Sequence, residues 1–241
     1  HQKHYRFLNI MPNLSIIIPC YRDQAQILAL LQQLKALTVS PIEVIVVDAA
    51  SDPACHDICV QYGAHWYRSE PCRGRQLLQG AQVASGDILW FLHADVRISP
   101  NAFAEITQAI ERGAVGGYFR FAFDGPPAWP MLILEPAIAL RSRFGTPYGD
   151  QGIFVKKTAY FEVGGHAPWP LFEEVPLVRK LRNLGHFQPL LHPIWVDSRR
   201  WQQDGWWHRT IQNRMLVLRF ALGASPDTLA KYYHSRSTRS S

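Results

Sequence analysis

Leu14-Ser-Ile-Ile-Ile-Pro19 is a β-branched run stopped by proline, the profile of a strand buried on both faces. The next segment, 24–37, places Ile27, Leu28, Leu31 and Leu34 at helical spacing. A second strand is expected over 42–47, ending at Asp48 and the small polar turn Ala49-Ala-Ser-Asp52, with Pro53 opening a helix at its first position. A weaker strand at 64–68 leads through Pro71-Cys-Arg-Gly74 into a helix that ends near Ala84, where Ser85-Gly86 stops it. Asp87-Ile-Leu-Trp-Phe-Leu92 is the fourth strand and runs into His93-Ala94-Asp95. Strand and helix thus alternate with short connections, the grammar of an α/β domain with a mostly parallel sheet flanked by helices. In such sheets ligands bind beyond the carboxyl ends of the strands, where Pro19, Asp48 and Asp95 all fall.

The second half changes character. A strand is expected at 116–123 and a turn at Asp124-Gly-Pro-Pro127. A helix over 131–143 contains Pro136, which should start, kink or split it. Gly149-Asp-Gln-Gly152 precedes a strand at 153–155, and another helix begins near Phe172-Glu173-Glu174. The final helix, 206–222, is aromatic and basic. Its apolar stripe is expected to pack on the domain, with contact to an anionic membrane as the alternative. The chain divides into a leader or added residues at 1–12, one domain over 13–234 and a disordered tail at 235–241. Within the domain, 13–98 forms a nucleotide-binding half and 99–234 an acceptor half.

Composition narrows the function classes. A chain of 241 residues that is 47% apolar and 18% charged is long enough for a real core and is not wholly disordered. No apolar run reaches the roughly 18 residues a spanning helix needs, and the first ten residues lack a signal-peptide core. A cytoplasmic setting, with peripheral contact at the inner membrane as the variant, is therefore expected. The net charge of +6 suits an anionic partner. Nucleic acid is disfavoured because no Lys/Arg run or reader motif accompanies that charge. Cys55, His56 and Cys59 lack a second ligand pair at zinc spacing, so the four cysteines read as reduced thiols.

His93 and Asp95 are alternate residues of an extended segment and can face one ligand. Asp95 offers a hard oxygen to Mg²⁺ or Mn²⁺, and His93 tolerates Mn²⁺ better. Asp48 either hydrogen-bonds a base or ribose, or caps the turn that follows it; sequence leaves both open.

Ser15-Ile-Ile-Ile-Pro19, Val46-Val-Asp48, Gly74-Arg75-Gln76, Gly86-Asp-Ile-Leu-Trp-Phe-Leu92 and His93-Ala-Asp95 occur in order and together resemble the GT-A domain of family 2 glycosyltransferases. His-Ala-Asp, Pro147-Tyr-Gly-Asp-Gln-Gly152 and Arg199-Arg-Trp201 look like a compact bacterial subgroup without membrane spans. The resemblance implies transfer of a sugar from a nucleoside-diphosphate donor to an acceptor hydroxyl, the acceptor being a small molecule or lipid-linked. It implies that Pro19, Tyr21 and Asp48 hold the base, and that Arg73 and Arg75 approach ribose or phosphates. The family's Asp-x-Asp metal motif is matched at its last acid by Asp95, with His93 in place of the first. Glu173-Glu174 stands where the family has Glu-Asp, which makes Glu174 the general base and Glu173 its neighbour. Asp197-Ser-Arg-Arg-Trp201 resembles Gln-x-x-Arg-Trp, implying that Arg200 meets phosphate and Trp201 walls the sugar or acceptor site. Asp150 and Gln151 lie in a polar loop suited to sugar or acceptor hydroxyls. Inversion is expected, since one base and one displacement suffice. The altered metal motif and the Glu-Glu pair leave a non-catalytic nucleotide-sugar-binding protein as the alternative. A nucleotidyltransferase or a Rossmann dehydrogenase would want a glycine-rich loop after the first strand, and Cys20-Tyr-Arg-Asp-Gln24 is not one.

Overall fold

The computed structural model describes residues 13–37 and 40–237; the expected leader and the end of the expected tail, 238–241, lie outside them. The first half alternates as expected: β1 (Leu14–Cys20), α1 (Gln24–Lys35), β2 (Glu43–Asp48), α2 (Pro53–Tyr62), β3 (His65–Arg68), α3 (Arg73–Val83) and β4 (Ile88–Phe91). Then come β5 (Val96–Arg97), α4 (Ala102–Glu111), β6 (Gly116–Asp124), α5 (Met131–Phe144), β7 (Phe154–Lys156) and α6 (Lys157–Glu162). The chain continues through α7 (Glu174–Leu184), β8 (Phe187–Asp197), α8 (Arg199–Asp204), α9 (Trp206–Ala221) and α10 (Pro226–Ser237).

Eight strands form one sheet in the order β3-β2-β1-β4-β7-β6-β8-β5. The pairs among β3, β2, β1 and β4 are parallel, as is β6 with β8, whereas β7 runs antiparallel to both its neighbours and β5 to β8. Side chains of successive strand residues point to opposite faces, so each strand feeds two cores. Ile16, Ile18, Val46 and Trp90 pack against α1, α2 and α4, whereas Ile17, Ile45, Val47 and Phe91 pack against α3, α6 and α7. Each such side chain contributes roughly 1.5–3 kcal/mol by leaving water; β1, β2 and β4 are buried on both faces, whereas β3 stays partly exposed.

Local chemistry explains the element ends. Asp52 caps α2 by accepting from Ala54 N at 2.8 Å, Pro53 fills its first position, and Gly63 closes it in the left-handed region. In α3, Gly80 lets helix meet sheet; a Cβ there would stand 2.5 Å from Ile17 Cγ2. Pro136 neither starts nor splits α5, which runs through it. The carbonyl that loses its donor belongs to Leu132, on the exposed side of the helix where water substitutes. Pro189 and Pro193 lie within β8, accommodated where its register against β6 shifts between Phe119 and Arg120.

The last helix departs from expectation in part. One side of α9 does pack: Leu216 joins Phe172 and Leu229 in a small third core, supported by Val217 and Phe220, and Trp206 meets the main core. Trp207, Ile211, Met215, Leu218 and Leu222 remain exposed. Among the described residues no helix is long and apolar enough to cross a membrane.

Candidate active site

β1, β2 and β4 end on the same rim, with Cys20 opposite Asp48 and Ile17 opposite Phe91. The chain leaving that rim is conformationally special. Arg22 after β1 and Ser51 after β2 have φ of 59° and 55°, and Phe172, just before the two glutamates, has φ of 62°. Non-glycine residues held in this region cost of order 1–3 kcal/mol and persist only where the surroundings enforce them. Phe172 is enforced by stacking on Phe220 at 4.7 Å between ring centres.

A cavity of about 490 Å³ opens above the rim, lined from both halves of the chain. It brings together Arg73, His93, Asp95, Asp150, Glu174, Arg200 and Trp201, separated by up to 128 positions in sequence. Buried side-chain atoms without a hydrogen-bond partner concentrate on the same wall: His93 Nε2, Arg141 Nε, Asp150 Oδ1, Glu174 Oε2 and Arg209 Nε. Buried polar groups are normally paired, so this clustering marks a surface built for something polar to fill.

Glu173 and Glu174 have opposite electrostatic fates. Glu173 is fully buried and takes a bidentate pair from Arg73, Nε to Oε1 at 2.5 Å and Nη2 to Oε2 at 3.2 Å. Burial alone would raise its pKa, but the adjacent guanidinium wins and holds it below the usual carboxylate range. Glu174, at the first position of α7, is pushed up to about 8, first by burial and then by the negative charge of Glu173. Burial likewise raises Asp150, and burial followed by the charge of Arg73 lowers His93. The His93 ring rests against Gly149, where a Cβ would come within 2.8 Å of Nε2.

Of the other predicted residues, Pro19, Tyr21, Asp48, Arg75 and Gln151 stand outside the cavity lining. Asp48 is fully buried, and its two oxygens accept from Ala50 N and Asp52 N at 2.8 Å each, with Trp66 Nε1 at 3.4 Å. Its carboxylate therefore secures the turn after β2, the capping role that sequence left open. Gln151 is also fully buried, accepting from Ser142 Oγ at 2.7 Å and donating to Phe119 O at 3.2 Å. It braces the loop that carries Asp150. Pro19 is half-buried, Tyr21 and Arg75 are exposed, and Arg22 lies over the Tyr21 ring at 5.2 Å. Trp201 packs edge-on to Phe123 at 5.1 Å, with Arg209 over its ring at 5.0 Å. Sequence reading missed Asp23, Arg141, Tyr148, Arg209 and Arg214, which also line the cavity.

Residues 15–167 match the model of glycosyl transferase family 2. The chain belongs to that family. It is 28% identical over 166 residues to an uncharacterized glycosyltransferase of Haemophilus influenzae, covering 63% of this chain and 55% of the relative. To an uncharacterized glycosyltransferase of Mycobacterium tuberculosis it is 32% identical over 120 residues, covering 47% of this chain and 46% of the relative. The matches thus span about half the length of these relatives. Among solved structures, glucosyl-3-phosphoglycerate synthase from Mycobacterium tuberculosis, in complex with Mn²⁺, uridine diphosphate and glucosyl-3-phosphoglycerate, superposes with a TM-score of 0.57 at 17% identity. That match covers 77% of this chain and 71% of the other. Mannosyl-3-phosphoglycerate synthase from Rubrobacter xylanophilus gives 0.55 at 16% identity, over 80% and 75%. At such identities the likeness shows the fold, which is GT-A-like. The family 2 chain has its cavity at the strand-end rim.

Proposed function

We propose that this glycosyltransferase moves a sugar from a nucleoside-diphosphate donor to an acceptor hydroxyl with inversion, Glu174 acting as general base. The observation that carries the reading is the unpartnered Glu174 Oε2, buried in the lining of the cavity that also takes in Asp95, His93 and Arg200. In a single displacement the acceptor O–H gives its proton to Glu174 and its oxygen forms the new bond to the anomeric carbon. The bond from that carbon to the diphosphate oxygen breaks, and the nucleoside diphosphate leaves with the electron pair. A carboxyl pushed up to about 8 is a stronger base than an ordinary glutamate. Arg73 is committed to Glu173, whereas Arg200 makes no ion pair among the described residues and is free to meet the diphosphate. Trp201 offers a wall for sugar or acceptor. Pro19, Tyr21, Asp48 and Arg75 serve the donor through the shape and electrostatics of the rim rather than by lining the cavity.

A divalent cation fits this site in one respect: the His93 ring nitrogen and the Asp95 carboxylate share the wall, and His93 Nε2 is without a partner. Among the described residues no three His, Cys, Asp or Glu side chains form a cage, so Asp95 and His93 would hold Mn²⁺ or Mg²⁺ together with donor oxygens. When bound, the ion neutralises charge on the diphosphate. Two neighbours whose fold this chain shares, including the complex above, were crystallised with Mn²⁺ and uridine diphosphate. The test is a melting-temperature screen of nucleotide sugars with and without Mn²⁺. A specific donor raises the midpoint by mass action, and donor hydrolysis follows in the same tube. No shift from any nucleoside diphosphate would sink the reading.

One observation favours membrane contact as part of the same reading. Exposed Trp207 of α9 stands 5.7 Å from exposed Trp129, which precedes α5, and Leu132, Ile133, Leu140 and Phe144 of α5 are exposed as well. Arg143, Arg214 and Arg219 are interspersed, and α9 carries no acid. Apolar and aromatic side chains framed by arginine suit an anionic bilayer surface, which would bring a lipid-linked acceptor to the cavity. The free thiols, three of them buried, suit a reducing cytoplasm.

A further inference from the structure

The two ends of the cavity differ chemically. Asp95 acts on Asp23, His93 and Asp150, and Arg200 acts on Asp23; His93, Asp95 and Arg200 are the groups assigned above to the donor diphosphate and its cation. Glu174 feels Glu173, Arg73 and Asp150 and acts on Tyr148 and Arg141, both of which also feel Arg214; Tyr148, Arg141 and Arg214 have no part in that chemistry. Arg141 comes from α5 and Arg214 from α9, helices separated by much of the second half of the chain, yet the fold sets both on one cavity wall.

Neither guanidinium is neutralised. Arg141 lies over the Tyr148 ring at 4.4 Å and donates through Nη2 to Gln151 Oε1 at 3.4 Å, a neutral partner, while its buried Nε has none. Arg214 makes no hydrogen bond or ion pair among the described residues. Burial disfavours the Arg141 charge most; Asp150 and Tyr148 work against that, and Arg214 disfavours the charge further. Asp150 is the one carboxylate of the group besides the base itself. Two like charges brought together with an unused buried donor are unfavourable in isolation and become favourable around an anion.

We propose that Arg141, Arg214 and Tyr148 form an anion subsite for the acceptor, so that the acceptor carries a phosphate or carboxylate close to the hydroxyl that Glu174 deprotonates. A planar guanidinium fork matches two oxygens of either group, and the Tyr148 hydroxyl supplies a further donor. A neutral polyol would leave both cations uncompensated. Placement of the subsite on the acceptor side rests on the assignment of Glu174 as base. The anion could belong to a water-soluble molecule or to a lipid headgroup.

The test saturates the protein with Mn²⁺ and whichever nucleoside diphosphate raises its melting temperature, which fills the donor end. Inorganic phosphate is then titrated by calorimetry. Phosphate binds the saturated protein, and Arg214→Gln, an exposed position that folding tolerates, weakens it about tenfold or more, as does Arg141→Gln. The nucleotide affinity of both variants stays at the wild-type level. Displacement of phosphate by free glycerol 3-phosphate but not by phosphatidylglycerol vesicles assigns a soluble acceptor, and displacement by the vesicles assigns a headgroup. No phosphate binding, or binding unchanged in Arg214→Gln and Arg141→Gln, overturns the subsite. If no nucleoside diphosphate binds, the titration is run on the free protein; the transferase reading then fails while the subsite is still judged by its own variants.

Discussion

Replacing Glu174 by glutamine keeps the shape of a fully buried side chain and removes the charge that its setting makes costly. The wild-type carboxyl has an ordinary value of 4.5 in the unfolded chain and about 8 in the fold, raised first by burial and then by Glu173. The folded protein therefore binds more protons than the unfolded one between those values. A group with a raised folded pKa contributes fully below its unfolded pKa, and that contribution is lost as pH rises through the folded one. At about 1.4 kcal/mol per pKa unit, the loss from Glu174 amounts to about 3 kcal/mol by pH 7. Glu173, held ionised by Arg73, acts in the opposite sense and over a lower range, so it partly offsets the slope near its own titration and leaves the upper window to Glu174. Urea unfolding of wild type should show stability falling from pH 5 towards 8, and Glu174→Gln should flatten that fall and unfold at higher urea at pH 8 (both on the order of the shift above). The same variant should retain donor binding and lose about 10²–10⁴ in turnover, the usual contribution of a positioned base. In wild type, kcat/KM should rise with pH through about 8, because the base must be deprotonated. A variant with the wild-type pH slope in unfolding, or with wild-type turnover, would refute both the electrostatic account and the assignment.

Three other perturbations probe separate parts of the site. Arg73→Met strands the buried Glu173 carboxylate and should destabilise by about 3–5 kcal/mol in urea unfolding at pH 7. Gly149→Ala places a Cβ 2.8 Å from His93 Nε2 and forces the ring aside; Mn²⁺-dependent nucleotide affinity measured by calorimetry should drop, with the melting temperature little changed. Trp207→Ser with Leu218→Ser alters only exposed apolar surface, so stability should stay within about 0.5 kcal/mol, while sedimentation with anionic vesicles should be lost.

Much of the fold is legible in sequence for a specific reason. Strands β1, β2 and β4 are covered on both faces, so they read as unbroken apolar runs, and the residues stopping them are the ones that reach the rim. By the same standard α4, with Phe103, Ile106 and Ala109 at helical spacing, was equally readable. β8 was hidden by Pro189 and Pro193, which argue against a strand unless a register shift absorbs them, and β5 is two residues long. The site divides differently. Asp95 is legible from its place at a strand end, whereas Glu174 emerges from motif order and not from local chemistry, since an acidic first turn of a helix is ordinary. Asp48 and Gln151 show the converse: a polar residue at a rim can serve ligand or backbone equally well, and only the positions of Ala50 N, Asp52 N and Ser142 Oγ reveal which atoms their side chains hold. Arg141 and Arg214 carry no sequence signal at all, because an arginine on an amphipathic helix looks the same whether it meets water or a cavity.

How the base is held in place follows from the contact between α3 and the segment before α7. Gly74 N donates to Trp169 O at 2.9 Å, and a Cβ on Gly74 would fall 1.9 Å from Ala167 O, so only glycine permits this approach. One residue earlier, Arg73 grips Glu173 in bidentate fashion. His166, at the start of the same segment, is fixed by the Tyr160 hydroxyl at 2.9 Å. Backbone and side chain at the start of α3 thus fasten the loop that presents Glu174, across 100 positions of sequence. The Arg73–Glu173 pair keeps one carboxylate charged, and that fixed charge is in turn part of what raises its neighbour. The positioning contact and the tuning contact are the same ion pair, which makes the basicity of Glu174 depend on α3 being docked against its loop.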